Sequence, residues 1–299
     1  MPLTPPILEV TDLTVRYDSR VALSDVTFTV APGERMAVVG PNGSGKSTLL
    51  KAIVGLVDAS SGRIAVHDHA PGQDRCVAYV PQRAGLDWGF PVTVYDVVLM
   101  GRAHRVGWLR RPGAADRAAV AAALAAVDIE DLSSRRIRDL SGGQQQRMLI
   151  ARALVQDARL VLMDEPLNNL DAASADTIMA VLDDLSANGV AVLVAMHDLV
   201  LAEARFDSAL LLARRMVACG PPHESLAEDH LRAAYGAGLQ IVESPDGHHV
   251  LSDPGCCDDG HAAVIAPKMP RRVATGMAPP SHIAGPRVVD ERERGSRRG

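Results

Sequence analysis

Aromatic residues make up only 3% of this 299-residue chain, and Lys46, Lys51 and Lys268 are the only lysines among its 31 basic side chains. The arginine bias is a matter of codon usage, yet it makes a retained lysine informative. A compact ammonium on a flexible stem does what a planar guanidinium cannot. Cysteine is scarce too. Cys76, Cys219, Cys256 and Cys257 are too few and too irregular for a disulfide framework, and Cys256 and Cys257 are adjacent, so a reducing compartment is expected. No apolar run approaches the ~18–20 residues that cross a bilayer, and the N-terminus MPLTPPILEV lacks the basic start and apolar stretch of a signal peptide. Cytoplasmic residence is the expectation. The balance of 31 basic against 36 acidic residues excludes a generally basic body, and no nucleic-acid partner is expected. The charge is also uneven, because residues 267–299 carry eight basic and three acidic side chains, leaving a net −10 on residues 1–266. With 47% hydrophobic residues, the length suits one large or two small domains and excludes disorder throughout.

Residues 7–15 and 22–30 alternate apolar and polar side chains, which predicts half-buried antiparallel strands with Tyr17 and Asp18 at the turn. Residues 35–39 read as a buried strand, 40–48 as a glycine-rich loop and 49–57 as an apolar helix. A second hairpin-like segment is predicted around 62–66 and 77–80. From 83 to about 138 the pattern turns helical, broken by Gly and Pro, which predicts a separate helical lobe. A helix over 141–156, a buried strand over 160–163, a helix over 172–188 and a strand over 191–196 follow. Such alternation predicts an α/β fold with a parallel sheet covered by helices on both faces. Periodicity weakens after about Glu224, and from about residue 243 the composition predicts a flexible tail.

Gly40, Pro41, Asn42, Gly43, Ser44, Gly45, Lys46, Ser47 and Thr48 form a phosphate loop of the pattern G-x-x-x-x-G-K-[ST], between a predicted strand and a predicted helix. Glycines let successive N–H groups turn inward onto phosphate oxygens, and the helix N-terminus adds the positive end of its dipole. Lys46 then reaches the β- and γ-phosphates and the Ser47 hydroxyl ligates Mg²⁺. Downstream, an apolar run ends in Asp164 and Glu165, two carboxylates at the carboxyl edge of the sheet, where ligands bind in such folds. Asp164 suits Mg²⁺ and Glu165 suits the general base that polarises an attacking water. Between the two motifs, Leu140, Ser141, Gly142, Gly143 and Gln144 open a helix and supply a second anion-binding N-terminus. One nucleotide-loop lysine with two such helix starts suggests that the second serves another copy of the chain.

With that signature, in this order and spacing, residues 7–225 resemble the ATP-binding subunits of ABC transporters. The resemblance implies a phosphate-loop NTPase fold, RecA-like with an antiparallel β subdomain and a helical subdomain. The expected division is an ATPase domain over 1–225, with its core at 1–83 and 149–225 and the helical part at 84–148, and an extension over 226–299. It also implies roles. Tyr17 stands where the family stacks an aromatic on adenine, Gln82 where a glutamine touches Mg²⁺ and water, and His197 where a histidine contacts the γ-phosphate. Asp171 matches the aspartate of a loop that crosses the dimer interface, although Asn168 and Asn169 replace the commoner small residues there. ATP and Mg²⁺ are the expected cofactors. A second copy, paired head to tail, is the expected partner.

The stretch from Gln82 through Asp87, Trp88, Phe90, Pro91 and Asp96 to Met100, Gly101 and Arg102 resembles the ATPases of manganese and zinc importers. That implies an integral membrane permease as partner, an extracytoplasmic metal-binding protein as an indirect one, and a place on the inner face of the cell membrane. Trp88 and Phe90 either anchor the permease or pack the helical lobe. Iron-siderophore or other small-solute import is the alternative, and a non-transport ABC ATPase is the reading from another class. In the tail, His248, His249, Cys256, Cys257, Asp258, Asp259 and His261 are either a metal site or a solvated linker.

Overall fold

The computed structural model describes residues 5–67, 69–72, 76–82, 87–106, 111–168, 170–236, 240–243 and 249–252. Of the tail cluster, His248, Cys256, Cys257, Asp258, Asp259 and His261 lie outside them, as do Asn169 and residues 107–110. Strands β1 (Leu8–Tyr17) and β2 (Arg20–Val30) pair antiparallel through a tight turn. Strand β3 (Arg35–Val39) leads through the glycine-rich loop into α1 (Lys46–Ile53). Strand β4 (Ser61–Val66) then returns to pair antiparallel with β1, whereas β5 (Val77–Val80) joins a different sheet. The hairpin expected from β4 and β5 therefore does not form. Both segments are β-rich, but hydrogen-bond partners are a non-local choice that neither segment encodes.

Helices α2 (Val94–Met100), α3 (Ala103–Val106) and α4 (Ala114–Ala126) fill the next stretch, followed by α5 (Gly142–Leu154). Strand β6 (Leu160–Asp164), α6 (Ala172–Ala187), β7 (Ala191–Ala195), α7 (Leu199–Arg205) and the antiparallel pair β8 (Ser208–Leu212) and β9 (Met216–Gly220) complete the second half. The chain goes on through α8 (Pro222–Ser225) and α9 (Glu228–Tyr235), with Leu226 and Leu231 buried in the core beyond the 225 boundary. Strands β10 (Gln240–Glu243) and β11 (His249–Ser252) pair antiparallel.

The larger sheet has the order β5-β6-β7-β3-β8-β9, parallel except for β9, and the smaller has the order β2-β1-β4. Strands β6, β7 and β8 are buried at every position, as an all-apolar run must be when both faces are covered. Alternation sorts the larger sheet onto two cores. Met36, Val38, Leu160, Leu162, Leu193, Leu210 and Leu212 face α1 and the antiparallel sheet. Ala37, Val39, Val161, Met163, Val192, Val194 and Leu211 face the other helices. That second core runs without a break into Val94, Val98, Val120 and Leu124, so the helical segment shares its apolar cluster with the sheet. Helix α5 is the shared element, continuous across the expected 148/149 boundary.

Capping fixes the two helix starts that matter. Thr93 caps α2 in a reciprocal box with Asp96, and Ser141 caps α5 in another with Gln144. The Met100, Gly101, Arg102 run has a packing reason. A Cβ on Gly101 would lie 2.4 Å from the Arg152 carbonyl oxygen of α5. Buried Arg102 reaches Asp116 at 2.6 Å, the Val155 carbonyl at 3.2 Å and Asp157 at 3.2 Å, tying α2, α4 and the end of α5 together. Gly101→Ala should therefore cost about 1–3 kcal/mol through overpacking against rigid backbone. It should appear as a lower urea midpoint; an unchanged midpoint would show that this contact does not set the α2–α5 spacing.

Candidate functional site

The carboxyl ends of five neighbouring strands carry the chemistry. Gln82 follows β5, Asp164 ends β6 and Glu165 follows it, His197 follows β7, the glycine-rich loop follows β3, and Arg214 follows β8. In a parallel sheet these ends share one edge, which is why residues as distant in sequence as Gln82 and His197 gather there. The loop closes around Gly40, whose φ of +150° disfavours a side chain and whose Cβ would lie 2.0 Å from the Leu212 carbonyl oxygen. Only glycine fits so close a backbone approach.

Lys46 starts α1 and is 7% exposed. Its Nζ donates to the Gly40 carbonyl at 2.6 Å and to the Pro41 carbonyl at 3.3 Å. Burial pushes the ammonium's pKa below its ordinary value, and the nearby Glu165 and Asp164 charges oppose that shift. Next to it, Ser47 Oγ donates to Asp164 Oδ1 at 3.0 Å, while the Asp164 side chain is 2% exposed. Glu165 accepts from Gln82 Nε2 at 2.8 Å and from Asn168 Nδ2 at 2.8 Å, both on Oε2. Lys46, Ser47, Asp164, Glu165 and Gln82 are thus brought together at one edge of the sheet.

A cavity of about 380 Å³ opens over the loop, lined by Asn42 to Thr48, by Glu165 and by Tyr17, which is 47% exposed at the end of β1. A second cavity of about 250 Å³ lies on the other side of Glu165 and holds His197, Asn168 and Asp198. Glu165 borders both. Ser141, Gly142, Gly143 and Gln144 line neither cavity. Their turn instead packs beside the loop that leads into α6, where a Cβ on Gly143 would lie 3.3 Å from Leu170 Cδ2. Asp171 caps α6 by accepting from Ser174 N at 2.8 Å and Ser174 Oγ at 3.1 Å. Those bonds hold its carboxyl below the usual range, and the Arg147 charge on α5 adds to them.

Four residues at the site escape motif reasoning. Arg20 lines the loop cavity across the β1–β2 turn from Tyr17, and Arg214 lines it from the β8–β9 turn. Arg214 also donates its backbone N–H to the Ser44 carbonyl at 2.7 Å and accepts from Ser24 N at 2.7 Å, stapling the loop to two strands. Tyr79 lies on β5, on the face of the sheet that holds Asp164; burial and that carboxylate raise its phenol well above the ordinary value. Asn168 is the fourth. A tyrosine in an alternating strand and an arginine in a hairpin carry no local mark of a site; only the strand order places them.

The sequence profile described as ABC transporter matches residues 23–168. The chain is 43% identical over 242 residues to the zinc transport system ATP-binding protein TroB of Treponema pallidum, covering 81% of this chain and 91% of that protein. It is 44% identical over 238 residues to the manganese transport system ATP-binding protein MntB of Bacillus subtilis, covering 79% and 95%. Among solved structures, a dimeric post-hydrolysis ATP-binding cassette bound to ADP and phosphate superposes with a TM-score of 0.65 at 26% identity, covering 72% of this chain and 98% of that one.

A planar guanidinium is longer and broader than the ammonium that fits between the Gly40 and Pro41 carbonyls. Lys46→Arg should therefore weaken nucleoside-triphosphate binding at least tenfold, roughly 1.4 kcal/mol. Titration with a fluorescent ATP analogue reads this directly. Wild-type affinity would show that the buried cation needs only charge, not shape.

Proposed function

The chain belongs to the ABC transporter family, and on that premise we propose that it is the ATP-binding and ATP-hydrolysing subunit that powers an importer of manganese or zinc ions. The observation that carries the ATPase reading is the Ser47–Asp164 contact at 3.0 Å beside a buried Lys46, under a cavity of about 380 Å³. The metal-ion reading is supported by what the zinc and manganese relatives are named for.

In the proposed mechanism the Tyr17 ring stacks on adenine. The N–H groups of Gly40 to Thr48 cradle the phosphates, with Lys46 on the β- and γ-phosphates. Ser47 and Asp164 are hard oxygen donors of the kind Mg²⁺ prefers, and the Gln82 amide adds a third oxygen. Mg²⁺ bound there supplies charge neutralisation on the transferred group. Glu165 takes a proton from the attacking water, His197 contacts the γ-phosphate, and the γ-phosphoryl group passes from ATP to that water as ADP leaves. Catalysis of this kind is mostly positioning and charge stabilisation.

ATPases of this family act as dimers and pair with permeases. We assign the turn Ser141, Gly142, Gly143, Gln144 of one copy to the nucleotide held by the loop of the other, with Asp171 at their boundary. Its absence from both cavities of its own chain supports that assignment. Among the described residues no helix is long and apolar enough to cross a membrane, which supports a place for this chain on the inner face of the cell membrane through a separate integral membrane permease. An extracytoplasmic metal-binding protein would deliver the ion to it. The helical segment over 84–148 is the proposed permease-facing part, between the core segments 1–83 and 149–225. Within it Trp88 packs against the core whereas Phe90 is 57% exposed, so Phe90 is the better anchor.

Glu165→Gln should bind ATP, lose turnover by roughly 10²–10⁴-fold and elute with ATP as a closed dimer on size exclusion. Wild-type turnover would remove the general-base assignment. In cells lacking this chain, manganese or zinc content should fall and be restored by the wild-type gene but not by Glu165→Gln. A fall in iron alone would move the assignment to an iron-siderophore system.

A further inference from the structure

Glu165 sits in the left-handed region with φ +52°, a rare conformation for a side chain longer than Asn or Asp. Its own N–H is held by the Ala195 carbonyl at 3.0 Å, and the Asn168 N–H closes a turn onto the Glu165 carbonyl at 3.4 Å. Within that turn Asn168 Nδ2 donates to Glu165 Oε2 at 2.8 Å, and Gln82 Nε2 donates to the same oxygen at the same distance. Two amide donors on one oxygen fix the carboxylate's rotation and leave Oε1 uncommitted by either.

We propose that Asn168 is a positioning residue for Glu165, holding Oε2 so that Oε1 is presented to the attacking water after Gln82 turns to the nucleotide. The proposal rests on the reading of Glu165 as general base. Gln82 has a second task at the metal through its amide oxygen, so the hold of its Nε2 on Glu165 is shared with that task. Asn168 has no such conflict. It is half-buried, three residues away in the same turn, and it lines the cavity that Glu165 shares with His197. A reacting group held in place by a fixed donor gains in kcat and not in substrate affinity, because orientation matters in the transition state.

The test uses the full chain, assayed for ATPase kinetics and for equilibrium binding of a fluorescent ATP analogue. Asn168→Ala should lower kcat about five- to tenfold with ATP affinity and KM unchanged. Asn168→Asp, isosteric but unable to donate, should lower kcat further by setting a like charge against Glu165. Combined with Glu165→Gln, Asn168→Ala should change the residual rate less than twofold, since the group it positions has lost its base function. Wild-type kcat in both Asn168 variants, a loss of ATP affinity in place of kcat, or a full additional loss on top of Glu165→Gln would each overturn the proposal. If Glu165→Gln alone turns over at the wild-type rate, the base assignment falls first and the positioning role falls with it.

Discussion

A buried ammonium without an anion in direct contact among the described residues is the constraint around which this structure is organised. Lys46 is desolvated by the loop that encloses it, and its direct partners are the neutral carbonyls of Gly40 and Pro41. Removing a charge from water costs several kcal/mol per ion unless nearby opposite charge compensates. Asp164 and Glu165 supply part of that compensation at longer range. The rest is left for a ligand. A phosphate chain is the anion whose geometry matches inward N–H groups, so the site is made to be completed by what it binds.

The strand order is what makes this arrangement available. The loop after β3 and the carboxylates after β6 are not on adjacent strands; β7 lies between them and places His197 there. Strand β5 lies beyond β6 and brings Gln82 to Glu165 from the outer side, while β8 brings Arg214 under the loop from the other. Each of these five strands thus contributes at least one group at its carboxyl end, and apolar burial packs the sheet on both faces. The antiparallel sheet does more than cover one face. Its first turn sets Tyr17 and Arg20 at the rim of the loop cavity.

Motifs whose meaning is local were legible in the sequence. The glycine-rich loop, the Ser-Gly-Gly turn that opens a helix at Ser141, and the apolar strand ending in Asp164 each carry their own geometry, and the structure keeps all three. What was not legible is partner choice. The segments at 62–66 and 77–80 read as one hairpin because each is β-rich, yet one pairs with β1 and the other with β6. Arg214 and Tyr79 reach the site only through that non-local pairing. Asn168 was visible as a departure from the family pattern, but its consequence needed the turn at Glu165, whose left-handed backbone no propensity scale anticipates.

The loop from Glu165 to Asp171 joins two functions within one short stretch. At its start the proposed base is hydrogen-bonded to Asn168, and at its end Leu170 and Asp171 lie against the signature turn at Gly143 and under the charge of Arg147. The N-terminus of α5 there has N–H groups that no turn of its own helix can satisfy, and neither cavity of the same chain includes it. An anion held by another copy is what such an end can accept. In the proposed dimer, docking of a partner's phosphates on Ser141 to Gln144 would bear on Leu170, and through a few bonds of backbone on the carboxylate at Glu165. In the proposed dimer, hydrolysis at one nucleotide would be sensitive to the presence of the other, with no element longer than a single loop required to carry the signal.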